Sequence, residues 1–211
     1  MNVTKLAIMY DFDKTLSTTD MQNYSFIPAL GLTPDEFWGK TGEFSKATGC
    51  ERILSYMYVM IQQAREKGIK FNKEFLNECG KGIKFFPGVL EYFDRINAYG
   101  KSKGVIVEHY LVSSGTREIV EGSEIFKFFK KAWACEYIFN DDGEPIWPKR
   151  AINYTQKTQF FFRIAKGKLD ENDDEGVNMK MPGDDRAVPY PNIVYMGDGM
   201  TDIPCMTLVK K

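Results

Sequence analysis

The chain has 211 residues, enough for one domain, or one domain with an insertion, and for a core that needs no staples. Its composition, 43% hydrophobic, 14% aromatic and 27% charged, excludes disorder, collagen and a disulfide scaffold. With 28 Lys and Arg against 29 Asp and Glu, it has no bulk positive field for nucleic acid or an anionic membrane.

The first predicted element is the apolar run Leu6–Tyr10, a buried strand that meets Asp11 directly. It is too short for a signal peptide, and no stretch nears the about 18 apolar residues of a membrane span. Thr33-Pro34-Asp35-Glu36 is a helix start, with Thr33 as cap, Pro34 in the first turn and acids at the positive end of the dipole. Between Glu51 and Lys67 the residues Ile53, Leu54, Met57, Ile61 and Ala64 recur at helical spacing, and Gly68 stops the run. Asn72–Cys79 predicts a further helix. Residues 17–83 thus read as a helical segment, and its Met57–Met60 stretch reads as core packing rather than a binding face.

Strand and helix then alternate. Val89–Ala98 predicts a helix, Val105–Val112 a strand and Thr116–Lys130 a helical stretch. Ala132–Phe139 and Glu144–Trp147 flank Asn140-Asp141-Asp142-Gly143, a hairpin signal. Thr155–Lys166 predicts a helix closed by Gly167. Residues 170–175 read as a solvated acidic loop, with a calcium site as the alternative. Ile193–Met196 is the last strand and runs into Gly197-Asp198-Gly199. The pattern predicts an α/β fold, a doubly wound and mainly parallel sheet with helices on both faces.

Cys50, Cys79, Cys135 and Cys205 are scattered without a Cys-x-x-Cys pair, and His109 is the one histidine. A Cys/His zinc site cannot form from this set. A serine or cysteine triad would need His109, which lies in a β-run and reads as structural. The thiols read as reduced and buried, and the expected compartment is the cytoplasm.

Ligands of such sheets lie beyond the carboxyl ends of the strands. There the sequence places Asp11 and Asp13 after the first strand, Ser113, Ser114 and Gly115 after the second, and Asp198, Thr201 and Asp202 after the last. Four carboxylates in a small volume repel and need a cation or a proton. All-oxygen donors select a hard cation, magnesium (Mg2+) before zinc. Ser113 supplies a hydroxyl, and Ser114-Gly115 can present backbone N–H groups to an anion. Lys157, at a helix start, completes a phosphate cradle, with Lys149 and Lys166 as competitors. Taken singly, Asp11 and Asp13 could cap a turn and Ser113 a helix. Together these groups point to phosphoryl transfer through an aspartyl-phosphate.

Asp11-Phe12-Asp13-Lys14-Thr15-Leu16, Ser113, Lys157 and Gly197-Asp198-Gly199-Met200-Thr201-Asp202 resemble the four ordered motifs of the haloacid dehalogenase (HAD) superfamily. Within it the chain is similar to the phosphoserine phosphatase-like branch. The resemblance implies a Rossmann-like catalytic core, residues 1–16 and 84–211, with 17–83 as an inserted α-helical cap. It implies that Asp11 is the nucleophile and Asp13 the acid and base. Ser113 and Lys157 would hold the phosphoryl oxygens, with Ser114, Gly115 and Thr201 as further phosphate contacts; Thr201 stands where an Asn is common. The metal would be bound by Asp11, the Asp13 carbonyl and Asp198, with Asp202 in or behind that set. Asp13 separates the chain from true dehalogenases, which lack that acid and need no metal. Asp20 falls where the branch carries an acid that reads the substrate's amine; the alternative is that Asp20 caps a helix. Nine residues follow Asp202, where the family usually continues with a helix and a strand, so either the sheet lacks an edge strand or the chain is trimmed.

The implied function is magnesium-dependent hydrolysis of a small phosphorylated metabolite, with no nucleic-acid or membrane partner. A phosphomutase using the same residues and a non-catalytic binding protein with the same fold are the alternatives.

Overall fold

The computed structural model describes residues 4–209. Five strands form one sheet in the order β4-β3-β2-β1-β5, built from β1 (Thr4–Tyr10), β2 (Val105–Thr116), β3 (Lys131–Phe139), β4 (Pro145–Arg150) and β5 (Ile193–Met196). Neighbours pair in parallel from β3 to β5, and only β4 runs antiparallel, on β3. The Asn140–Gly143 turn makes that hairpin, with Gly143 at φ 78°. From β1 the chain moves outward to β2 and β3, then returns to the other side of β1 for β5. Strand order therefore reverses at β1, the place where crevices form in doubly wound sheets.

Nine helices accompany the sheet among the described residues. Five lie between β1 and β2, and the first four fall in the segment 17–83: α1 (Phe26–Ala29), α2 (Pro34–Thr48), α3 (Arg52–Glu66) and α4 (Lys73–Gly80). The rest are α5 (Val89–Ser102), α6 (Arg117–Glu121), α7 (Lys157–Lys166), α8 (Asp174–Asn178) and α9 (Ile203–Val209). Among the described residues no helix is long and apolar enough to cross a membrane. α2 starts as its sequence dictates: the Thr33 hydroxyl accepts from Glu36 N, and the Glu36 carboxylate accepts from Thr33 N at 2.8 Å. In α3 Met57 and Met60 are buried core residues. The helical segment enters and leaves through paired chain, with Thr18 N donating to Lys84 O at 3.0 Å and Phe86 N to Leu16 O at 3.0 Å.

One expectation is corrected and a second refined. The helix predicted over Thr116–Lys130 is reduced to α6, because β2 continues through Thr116 and the phenylalanines that follow are shared out over the core. Phe128 stacks on Phe93 with centroids 4.7 Å apart, and Phe129 meets Phe93 edge-on at 5.6 Å. The acidic stretch 170–175 is largely exposed, as expected, but it is anchored and its last two residues begin α8. The Arg163 guanidinium donates to the carbonyls of Asp170 and Glu171, Arg150 pairs with the Glu171 carboxylate, and Asp173 caps α8 through Gly176 N at 2.7 Å.

His109 sits inside β2, sharing hydrogen bonds with the Tyr10 hydroxyl (2.8 Å) and Asn97 Oδ1 (3.0 Å). Asn97 Oδ1 can only accept, so the neutral ring donates from Nε2 and accepts from Tyr10 at Nδ1. Burial pushes its pKa down to about 4, against about 6.5 in an unfolded chain. The unfolded state thus takes up this proton first, and the stability it supports is lost as pH falls from 6.5 towards 4. Urea unfolding of wild type and His109→Gln is expected to show a wild-type advantage at pH 7 that shrinks by pH 4.5. An advantage independent of pH would refute the neutral ring.

Candidate functional site

The parallel register puts Tyr10 level with Leu111 of β2 and Met196 of β5. The residues after these three strands therefore emerge on one edge. Asp11 N donates to Met196 O at 2.8 Å, which continues the β1–β5 pairing by one residue and fixes the Asp11 backbone.

At this edge a single buried ammonium joins two buried carboxylates. Lys157 Nζ lies 2.8 Å from Asp11 Oδ1 and 2.7 Å from Asp202 Oδ1. Lys157 is the first residue of α7, so the helix start delivers it to the strand ends. Its side chain is 1% exposed and that of Asp202 0%. Burial pulls the lysine pKa down, but Asp11 and Asp202 together more than offset it and hold the ammonium charged. Tyr195 donates to the same Asp202 Oδ1 at 2.5 Å, and Gly199 N donates to Oδ2 at 2.9 Å. Asp202 is thus occupied at both oxygens. A Cβ on Gly197 would fall 2.5 Å from Asp202 Cγ, so this turn closes only around glycine.

Asp11, Asp198 and Asp202 each offer a carboxylate oxygen within 4.8 Å of the others. Oxygens on a magnesium-sized ion lie about 2.9 Å apart when adjacent and about 4.2 Å when opposite, so Asp11 and Asp198 could close on one with Asp202 behind them. One lysine against three ionised carboxylates leaves two negative charges, the balance a divalent cation fits. Asp198 is exposed, with the Thr15 hydroxyl at 3.4 Å from Oδ1. Burial raises the Asp11 pKa to about 6, with Lys157 pulling down and Asp202 pushing up.

The Asp13 side chain stands apart from this cluster. Its Oδ1 accepts from Met21 N at 2.7 Å, and its Oδ2 would lie 2.9 Å from a Cβ on Gly115. Burial, then the charges of Asp11 and Asp20, hold its pKa well above the usual carboxylate range, as a proton donor requires. Lys14 between the two aspartates adopts φ 59°, a left-handed conformation rare outside glycine.

Beside Asp13 lies the end of β2. Gly115 N donates to Ser113 Oγ at 2.9 Å, leaving the buried Ser113 hydroxyl hydrogen free to be donated elsewhere. The Ser114 carbonyl accepts from Tyr56 of α3 at 2.7 Å and from the Cys135 thiol at 3.3 Å, while the Ser114 hydroxyl is buried without a protein partner. Thr201 lies on the Gly197–Asp202 turn, its Oγ1 3.7 Å from a Cβ on Gly199.

Sequence-predicted residues Asp11, Lys157, Asp198 and Asp202 thus meet directly, and Asp13, Ser113 and Gly115 form an adjoining group. Asp20 makes no side-chain cap bond, and its carboxylate pairs with Lys14 Nζ at 2.8 Å. Tyr195 and Tyr56 were not legible as site residues; only the apolar strand before Gly197 and the periodicity of α3 place them near it.

No family model matches the chain. A Borreliella burgdorferi protein described as uncharacterized is 29% identical over 229 residues, covering 97% of this chain and 78% of that one. Among solved structures, a HAD family hydrolase from Salmonella enterica serovar Typhi superposes with a TM-score of 0.66 at 17% identity. That alignment covers 96% of this chain, which spans only 59% of the Salmonella protein. A substrate-bound phosphoserine phosphatase superposes with a TM-score of 0.63 at 17% identity, covering 97% and 83% of the two chains. The chain has the HAD hydrolase fold, with an α/β core of the phosphoserine phosphatase type.

Replacing Lys157 would leave Asp11 and Asp202 buried and uncompensated, a change that costs about 3–5 kcal/mol. Lys157→Met is therefore expected to lower the melting temperature strongly at pH 8, and added Mg2+ to raise it more than in wild type. A variant as stable as wild type at pH 8 would contradict the buried triad.

Proposed function

We propose that the chain is a magnesium-dependent phosphomonoester hydrolase acting on a small phosphorylated metabolite through an aspartyl-phosphate on Asp11. The observation that carries this reading is the Asp11–Lys157–Asp202 triad at the strand ends, with Asp198 open beside it.

Lys157 holds Asp11 by one oxygen, which leaves Oδ2 for attack on phosphorus. The ammonium and the Ser113 hydroxyl would receive the phosphoryl oxygens, while the glycine at 115 leaves room for the Met21 side chain, which packs there beside Asp13. As the new bond between Asp11 and phosphorus forms, the ester P–O bond breaks, and Asp13 gives its proton to the leaving oxygen. Asp13, now a carboxylate, takes a proton from the water that attacks the acyl phosphate. Inorganic phosphate leaves and Asp11 is restored.

Asp11, Asp198 and the Asp13 carbonyl would hold the cation. Asp202 stands behind them, its oxygens taken by Lys157, Tyr195 and Gly199. When bound, magnesium would neutralise charge between the carboxylates and the phosphoryl group. Residues 17–83 would be the cap over a core of 1–16 and 84–211, a division supported by the paired entry and exit strands at 16–18 and 84–86.

In a phosphate-release assay Asp11→Asn is expected to abolish turnover, since an amide is a poor nucleophile. Asp13→Asn should lower kcat by about 100-fold or more, the scale of a lost acid–base group. Near-normal kinetics in Asp11→Asn would exclude the mechanism. Chelation should remove activity and Mg2+ restore it, while calcium, which takes more and longer oxygen contacts, should block it; full turnover in excess chelator would exclude the metal.

A further inference from the structure

On α3, Leu54, Met57, Tyr58, Ile61 and Arg65 fall at helical spacing and so share one face. Met57 is buried, but Leu54 and Tyr58 remain exposed, so that face is covered only in part. Facing it, the β3–β4 hairpin leaves Ile146 and Trp147 exposed as well. Large apolar side chains gathered in one exposed patch mark a surface that receives a ligand or a partner. Here they surround a concavity of about 450 Å3, lined by α2, α3 and both strands of the hairpin.

The concavity has a closed floor and aromatic walls. Met57 and Tyr137 are its buried residues, and the Tyr137 hydroxyl donates to Met57 O at 2.9 Å, which ties the hairpin to the helix. Tyr58 stacks on Phe44 of α2, with centroids 4.6 Å apart and planes 19° from parallel. Trp147 stands on the hairpin side. A cavity of about 150 Å3 accommodates one benzene ring, so a space of this size takes a fused pair of rings with a substituent.

Charge and backbone select the occupant. An aromatic lining by itself would accept a cation on its ring faces. Arg65, however, is the only lining side chain charged at neutral pH, and it enters none of the ion pairs among the described residues. Its planar fork matches a carboxylate and repels an ammonium. A peptide strand laid along β4 would find Pro145 and Pro148 without N–H groups, so strand addition is disfavoured there. A small acid with a flat apolar body satisfies all of these features.

We propose that the seam between α3 and the β3–β4 hairpin is a second binding site, which takes a small aromatic acid. Its rings lie between Trp147 and the Phe44–Tyr58 stack, and its carboxylate pairs with Arg65. The site shares no lining residue with the carboxylate edge. Tyr56, which precedes Met57, sends its hydroxyl to Ser114 O instead.

Equilibrium dialysis at pH 7 tests this with 2-naphthoate, 2-naphthylmethanol and 2-naphthylmethylamine, which carry the same rings with negative, zero and positive charge. Wild type is expected to bind one 2-naphthoate per chain about tenfold tighter than the alcohol, the scale of a charge-assisted hydrogen bond, and to bind the amine worst. Arg65→Gln should bring 2-naphthoate to the affinity of the alcohol and leave the alcohol unchanged. Trp147→Ala should weaken both by about tenfold, the scale of a lost aromatic contact; the side chain is 68% exposed, so its removal leaves the fold intact. No retention at millimolar 2-naphthoate, an affinity unmoved by either variant, or tightest binding of the amine overturns the proposal. Displacement of 2-naphthoate by inorganic phosphate overturns it too, because the acid would then sit at the carboxylate edge. So does a wild-type dimer that Trp147→Ala renders monomeric in sedimentation, because a second copy of the chain would then cover the seam.

Discussion

One ammonium in the floor of the sheet's carboxyl edge governs the arrangement of the site. Lys157 Nζ bridges Asp11, which ends β1, and Asp202, which lies beyond β5. Two buried carboxylates at neighbouring strand ends repel strongly in a poorly polarisable interior, and the ammonium between them offsets that repulsion. The lysine makes their coexistence feasible. It also fixes distances, since α7 must present its first residue to both strands. Tyr195 and Gly199 complete Asp202, and Asp202 in turn closes the Gly197 turn that carries Asp198. The negative charge left over at Asp11 and Asp198 is what equips this edge to hold a hard cation.

The second constraint is the contact between helical segment and sheet. Tyr56 reaches from α3 to the Ser114 carbonyl, and the Tyr137 hydroxyl of β3 donates to Met57 O of α3 at 2.9 Å. Met21 N fixes Asp13 from the same segment. The acid that would protonate a leaving group and the loop that would hold a phosphoryl are therefore both positioned by residues outside the sheet. A movement of α3 relative to the strands would be felt at Ser113 and Gly115.

The sheet and the acidic edge were readable because short apolar runs ending in Asp or Ser have few other uses. Leu6–Tyr10 and Ile193–Met196 fold as expected, and their final residues share one register row. The capping box of α2 and the glycines at the ends of α2, α3 and α4 are local signals, so those helices were legible as well. What failed was set by distant partners. Phe126, Phe128 and Phe129 look helical in a window, yet two of them are drawn to Phe93, 35 or more positions away. Glu171 looks like a solvent-facing charge until Arg150 is placed beside its carboxylate and Arg163 beside its carbonyl. At the site, the Lys14–Asp20 ion pair was not legible, because the left-handed turn at Lys14 that accompanies it carries no local sequence signal.

The most direct test of the account is to find where the phosphoryl group resides during turnover. Enzyme mixed with radiolabelled benzyl phosphate and Mg2+ would be quenched in acid within the first turnovers, digested, and the labelled peptide mapped. The account predicts acid-stable, base-labile label on the peptide containing Asp11, and none in Asp11→Asn. Label on Ser113, or turnover with the peptide containing Asp11 unlabelled, would contradict it.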